Sequence, residues 1–195
     1  MLLRQVDGQT PSAAESVSSN VIVGVFDQIF GRSDATFLRG GANEPLYQPD
    51  TGSGSAIVYF RYDYLRSALH EVAHWCLAGS ARRRFTDYGY WYWPDNRDEV
   101  RQAAFYQVEV RPQALEWIFC DTLGISFSVS LDNFGVTSED IEACTFKSRV
   151  QLEKSKMLEK GLPARAHRFN SALGAIASAD KSSYQPASVM ASELR

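Results

Sequence analysis

His70 and His74 stand four residues apart, with Glu71 directly after the first, in the string His70-Glu71-Val72-Ala73-His74. Four residues along an α-helix return to nearly the same face, so both imidazoles can reach one ion. Their neutral nitrogens are good ligands for zinc, iron or nickel. Glu71 sits about 100° around the axis from His70, where it can accept a proton from a metal-bound water. Short strings of this form also arise by chance, and a histidine pair can be a hydrogen-bonded surface pair. The flanking Leu69, Val72, Ala73 and Leu77 argue for a helix packed on a core, and the chain places two of its 3 histidines here.

Two histidines alone hold an ion weakly, so a third ligand is required. His167 lies far along the chain in an arginine-rich helix, where a surface or core role is expected. The extended metzincin pattern needs glycine and histidine at positions held by Leu77 and Ser80, so that class fails. A carboxylate is the better candidate. Glu109 stands between Val108 and Val110, which reads equally as an inward-pointing group in need of a partner or as a solvated residue on the outer face. Glu116, in Leu115-Glu116-Trp117, is its local competitor and reads as a surface helix residue. Two histidines and one carboxylate make the facial triad of non-haem iron oxygenases, and the same set holds catalytic zinc. Spacing does not separate the two metals. Trp75 reads as packing beside the second histidine, and Cys76 as a small buried apolar group.

The elements that must position these residues follow from periodicity and punctuation. Val21–Phe30 fits an amphipathic helix capped by Ser19 or Asn20 and ended by Gly31. Thr36–Arg39 and Pro45–Gln48 read as short strands, and Ala56–Phe60 as a buried one. Asp63 would cap a histidine helix from Tyr64 to about Ala78, with Gly79 as its stop. Gly89–Trp93 is a further strand candidate. Glu99–Val108 is helical in propensity, and Pro112 suits the first position of a separate helix, Pro112–Leu123, closed by Gly124. Ser138–Lys160 and Ala164–Ala177 complete the helices. The expectation is an α+β domain over residues 19–177, helices packed around a small sheet, with loose tails at 1–18 and 178–195.

Composition narrows the function classes. The chain of 195 residues carries a net charge of -3, too weak a field to hold a nucleic-acid backbone, although Arg82, Arg83 and Arg84 form a local basic patch. The 3 cysteines (Cys76, Cys120 and Cys144) include no CxxC pair and read as free thiols in a reducing compartment. The start of the chain breaks its apolar run at Arg4, against a secretory signal, and no stretch reaches the length of a membrane span. A cytoplasmic enzyme is expected.

Several blocks resemble the elongation factor P hydroxylase family. They are Ser67–Gly79 around the histidine pair, Asp87-Tyr88-Gly89-Tyr90-Trp91-Tyr92, Pro94-Asp95, Val108–Trp117 and Asp132-Asn133, in that order. The likeness runs from about Val21 to Leu173. It implies an enzyme that hydroxylates a lysine of elongation factor P already carrying a β-lysyl group. It also implies that His70, His74 and Glu109 are the metal ligands, in a zincin-like arrangement that is not a peptidase. The HxD…H pattern of the 2-oxoglutarate jelly-roll oxygenases is absent from the chain. Fe(II) suits such chemistry, because the triad keeps open positions for dioxygen and substrate, whereas zinc activates water but performs no redox step. Glu71 would then orient water or handle a proton. Tyr90 and Trp91 could line a channel for a long cationic side chain by cation–π contact, with Asp87 meeting its ammonium, although an aromatic strand packed on the core explains the same run. The rival functions are a zinc-dependent hydrolase, peptidase or RNase-like, and a non-catalytic module with a closed structural metal site.

Overall fold

The computed structural model describes residues 17–86, 99–131 and 141–183. Its elements are α1 (Ser19–Phe30), β1 (Thr36–Ala42), β2 (Leu46–Gln48), β3 (Ala56–Arg61), α2 (Leu65–Leu77), a 3-10 turn (Arg82–Arg84), α3 (Glu99–Leu123), α4 (Ile141–Lys160) and α5 (Ala164–Ser183). This is the α+β arrangement the sequence predicts. The strand expected at Gly89–Trp93, and with it Asp87, Tyr90 and Trp91, lies outside the described residues, as does Asp132-Asn133.

The small sheet has the order β1-β3-β2, with β1 parallel and β2 antiparallel to the central β3. Side chains alternate as a half-buried strand requires. Thr36, Leu38, Ala56, Val58 and Phe60 are buried, while Phe37, Ile57 and Tyr59 are only partly covered. Helix α1 packs on β1 and α2 on β3. Helix α1 buries Ile22, Val25, Phe26 and Phe30, a stripe of helical period. Asp27 on its other side accepts from Leu38 N (2.9 Å) and pairs with Arg39 (2.5 Å), fixing α1 against β1.

Helix ends depart from expectation in four places. The cap of α1 is Ser18 in extended backbone, without a side-chain hydrogen bond, so neither Ser19 nor Asn20 caps it. The cap of α2 is Tyr64, not Asp63. Gly31 does follow α1 but keeps right-handed helical angles. Its small size is what counts, since a Cβ there would stand 2.8 Å from the Phe37 ring. Gly79 does not terminate α2: Ala78 takes extended backbone at its end, and Arg165 from α5 donates to the carbonyls of Cys76 and Ala78. Helix α5 itself continues to Ser183, six residues past the predicted Ala177.

The largest departure is α3. One helix runs from Glu99 to Leu123 with Pro112 inside it, where two helices were expected. Proline lacks an N–H for the carbonyl four residues back and crowds it. Packing overrides that local cost: Val110, Ala114, Leu115, Ile118 and Phe119 are all buried against neighbouring helices. Gly124, at φ 72°, closes the helix in the left-handed region. Its N–H meets Asp121 O at 3.1 Å and Ile125 N–H meets Cys120 O at 3.0 Å, the paired bonds of a Schellman end.

Candidate metal centre

Helix continuity decides what α3 shows to α2. Gln102, Glu109, Gln113 and Glu116 fall on one face at spacings of seven, four and three, and all four are buried. Burying such groups is costly unless each finds a partner. Gln102 donates to Leu131 O at 3.2 Å. Gln113 makes a pair of bonds with the backbone of Ser130, each 2.9 Å. Glu116 accepts from Arg66 Nε (2.9 Å) and Nη2 (2.6 Å) on Oε1, and meets His70 Nδ1 at 3.0 Å with Oε2. The expectation that Glu116 is a surface residue is therefore overturned, because it faces α2 rather than water and is 2% exposed.

Glu109 differs from the other three. Its Oε1 lies 3.1 Å from His74 Nε2, but Oε2, 3.4 Å from His70 Nε2, has no hydrogen-bond partner among the described residues. The two Nε2 atoms are themselves 3.0 Å apart. One donor atom from each of His70, His74 and Glu109 fits within a 4.8 Å span. Ligands bound at about 2.1 Å to one ion stand about 3.0 Å apart at right angles and about 3.4 Å apart at the tetrahedral angle. The two imidazole nitrogens, and each nitrogen with its nearest carboxylate oxygen (Oε1 for His74, Oε2 for His70), stand at such separations, so a divalent ion fits this donor set and would satisfy the orphaned carboxylate oxygen.

The charges fit the same reading. Burial by itself would lower the His70 pKa, but the Glu116 hydrogen bond and the charges of Glu109, Glu116 and Glu71 outweigh it and push it to about 10. Burial by itself would raise the Glu109 pKa, yet the charges of His74 and His70 and hydrogen bonds from His74 and Gln113 hold it at about 2. Burial raises the Glu71 carboxyl above its usual range. The protein around these groups is electrostatically arranged for positive charge between the imidazoles and Glu109.

A pH dependence follows for the metal-free protein. Glu109, depressed from 4.5, contributes stability that is present above pH 4.5 and is lost as pH falls toward 2. His70, raised from 6.5, contributes stability that is present below pH 6.5 and is lost as pH rises toward 10. Glu71 tilts the same way, because its ionised form is the costly one. The Tm of chelator-treated protein is thus expected to peak between pH 4.5 and 6.5 and to fall toward pH 9. The Tm gain on adding metal should grow with pH over the same range, since ligation needs neutral imidazoles. A Tm that rises from pH 6.5 to 9 without metal would contradict this charge arrangement.

Other predicted residues fall away from the site. His167 is exposed on α5. Cys76 is buried on α2, and burial pushes its thiol up to about 12, which leaves it protonated and inert. Trp75 packs edge-on to Phe26 (5.0 Å) and Phe30 (4.7 Å), with the Arg165 guanidinium over its ring at 4.5 Å. No helix among the described residues is long and apolar enough to cross a membrane.

Two comparisons with known proteins bear on this geometry. The family model for elongation factor P hydroxylase matches residues 25–186. The chain belongs to the elongation factor P hydroxylase family. Within it, the chain is 43% identical over 161 residues to a Haemophilus influenzae protein named elongation factor P lysine hydroxylase, covering 82% of this chain and 89% of that protein. Both hydroxylase matches span α2 and α3, and neither name denotes a hydrolase.

Proposed function

We propose that this chain hydroxylates a β-lysylated lysine of elongation factor P, using a redox-active divalent ion, Fe(II), held by His70 Nε2, His74 Nε2 and Glu109. The convergence of those three donors, with one buried carboxylate oxygen still unpartnered, carries the reading in a member of this family. Bound there, the ion supplies the activation of dioxygen that insertion of oxygen into an unactivated C–H bond requires. One oxygen atom enters the substrate, and the other leaves as water with two electrons and two protons from a reductant.

The chain's own groups have separable tasks. His70 and His74 present lone pairs from successive turns of α2, and Glu109 offsets one unit of the ion's charge from α3. With an ion held by these three side chains, dioxygen and substrate would still have access to it. Glu71 is the group proposed to hold and release a proton beside the site, at a carboxyl whose ionisation burial opposes. Asp87, Tyr90 and Trp91, outside the described residues, are the proposed contacts for the cationic lysine extension. The packing of the histidine helix on a sheet whose outer strand β2 is antiparallel supports the zincin-like reading.

The test is the mass of the modified peptide. Iron-loaded protein incubated aerobically with β-lysylated elongation factor P and a reductant is expected to add one oxygen atom to the β-lysylated residue. No gain under those conditions, with iron bound at one equivalent, sinks the proposed reaction. Zinc-loaded protein is expected to add none, and cleavage of peptide or RNA by the zinc form would favour the hydrolase alternative.

A further inference from the structure

We infer that Glu116, clamped by Arg66, is a positioning residue that holds His70 as the Nδ1–H tautomer and so aims its Nε2 lone pair at the metal position. This inference rests on the metal reading of His70, His74 and Glu109. A neutral imidazole carries one N–H, and whichever nitrogen bears it cannot ligate. Nδ1 of His70 lies 3.0 Å from Glu116 Oε2, a carboxylate that only accepts, so the proton belongs on Nδ1. Nε2 is then the free donor atom, and it is the nitrogen that faces His74 Nε2 and Glu109.

Glu116 is held too firmly to drift. Both Arg66 bonds converge on Oε1, leaving Oε2 for the histidine. Arg66 is fixed in turn: Nη1 donates to Ser128 Oγ at 2.9 Å, Nη2 to Ser128 O at 2.7 Å, and its guanidinium lies 4.8 Å over the Phe127 ring. Phe127 stacks on Trp117 at 4.8 Å and 15°. The segment after α3 thus grips Arg66, Arg66 grips Glu116, and Glu116 orients His70. The parts also share a register. Arg66, His70 and His74 recur every four residues on α2, opposite Glu109, Gln113 and Glu116 on α3. Carboxylates that orient a ligating histidine in this way typically account for 10- to 100-fold in metal affinity.

Glu116→Gln is the variant that tests it, because it keeps the volume while replacing the obligate acceptor by an amide that can also donate. Metal affinity is read by titrating Co(II) against a competing chelator, and the tautomer by 15N NMR of His70 in zinc-loaded protein. Wild type is expected to bind one equivalent with His70 protonated on Nδ1. Glu116→Gln, in protein shown to be folded, is expected to bind about 10- to 100-fold more weakly, with the Nδ1–H signature lost or mixed. Arg66→Lys, which keeps the charge but not the fork, is expected to give a smaller loss in the same direction and serves alone if Glu116→Gln does not fold. Unchanged affinity together with an intact Nδ1–H signature in the folded variant overturns the positioning role while leaving the ligand set standing. Failure of wild type itself to bind one equivalent overturns both.

Discussion

Glu109→Gln is expected to strip the protein of stoichiometric metal and to abolish oxygen addition to elongation factor P. Glutamine preserves the volume at this buried position, so α3 should keep its packing. What it loses is charge: a neutral amide cannot offset the ion, and in one of its two orientations it turns N–H groups toward His70 and His74. Removing a ligand should cost more than removing a partner that only orients one, so the affinity loss should exceed about 100-fold. Metal analysis after gel filtration and the peptide mass measure the two effects separately. The companion variant Glu116→Gln should show a milder deficit that added metal restores. If Glu109→Gln retained one equivalent of metal while Glu116→Gln lost it, the third ligand would be Glu116.

The second large effect concerns stability. Phe26→Ala is expected to cost about 3–5 kcal/mol, a large share of the roughly 5–15 kcal/mol that holds a domain of this kind folded. The ring is 0% exposed and sits where α1, α2 and α5 meet, 4.9 Å from Phe30, 5.0 Å from Trp75 and 6.3 Å from Phe169. No neighbouring side chain can refill that space without leaving another gap, since the surrounding aromatics are themselves buried. The midpoint of urea unfolding should fall steeply with its slope unchanged. A shift under about 1 kcal/mol would mean that the junction collapses onto the cavity and that the aromatic cluster gives α2 no rigid support.

The histidine pair was legible in the sequence because its signal is local: ligand spacing and helix period coincide over five residues. Glu109 was only half legible: between two valines it read equally as inward-pointing or solvated, and the family resemblance singled it out. The β-branched and aromatic run Ala56–Phe60 likewise marked the central strand. Glu116 and Arg66 were lost through Pro112. Read as the start of a helix, Pro112 separates Glu109 from Glu116, whereas the continuous α3 puts them two turns apart on one face. The signal was present as the seven-residue spacing, but only tertiary packing decides that a proline is carried inside the helix. Strand pairing was hidden for the same kind of reason. Nothing local says that β1 lies parallel beside β3 while β2 takes the opposite edge. Nor does anything near Gly79 reveal that an arginine of α5 would meet the carbonyls at the end of α2.

That arginine has a consequence for how the protein is made. Arg165 answers the backbone of Cys76 and Ala78 from 89 and 87 residues downstream. A nascent chain that has released everything through α4 from the ribosome holds every candidate ligand, yet lacks the arginine that meets the carbonyls at the end of its histidine helix. The carbonyls at the end of that helix gain this partner only once residue 165 has been made and α5 has packed. A fragment cut to the ligand-bearing helices would bind metal poorly, however complete its donor set.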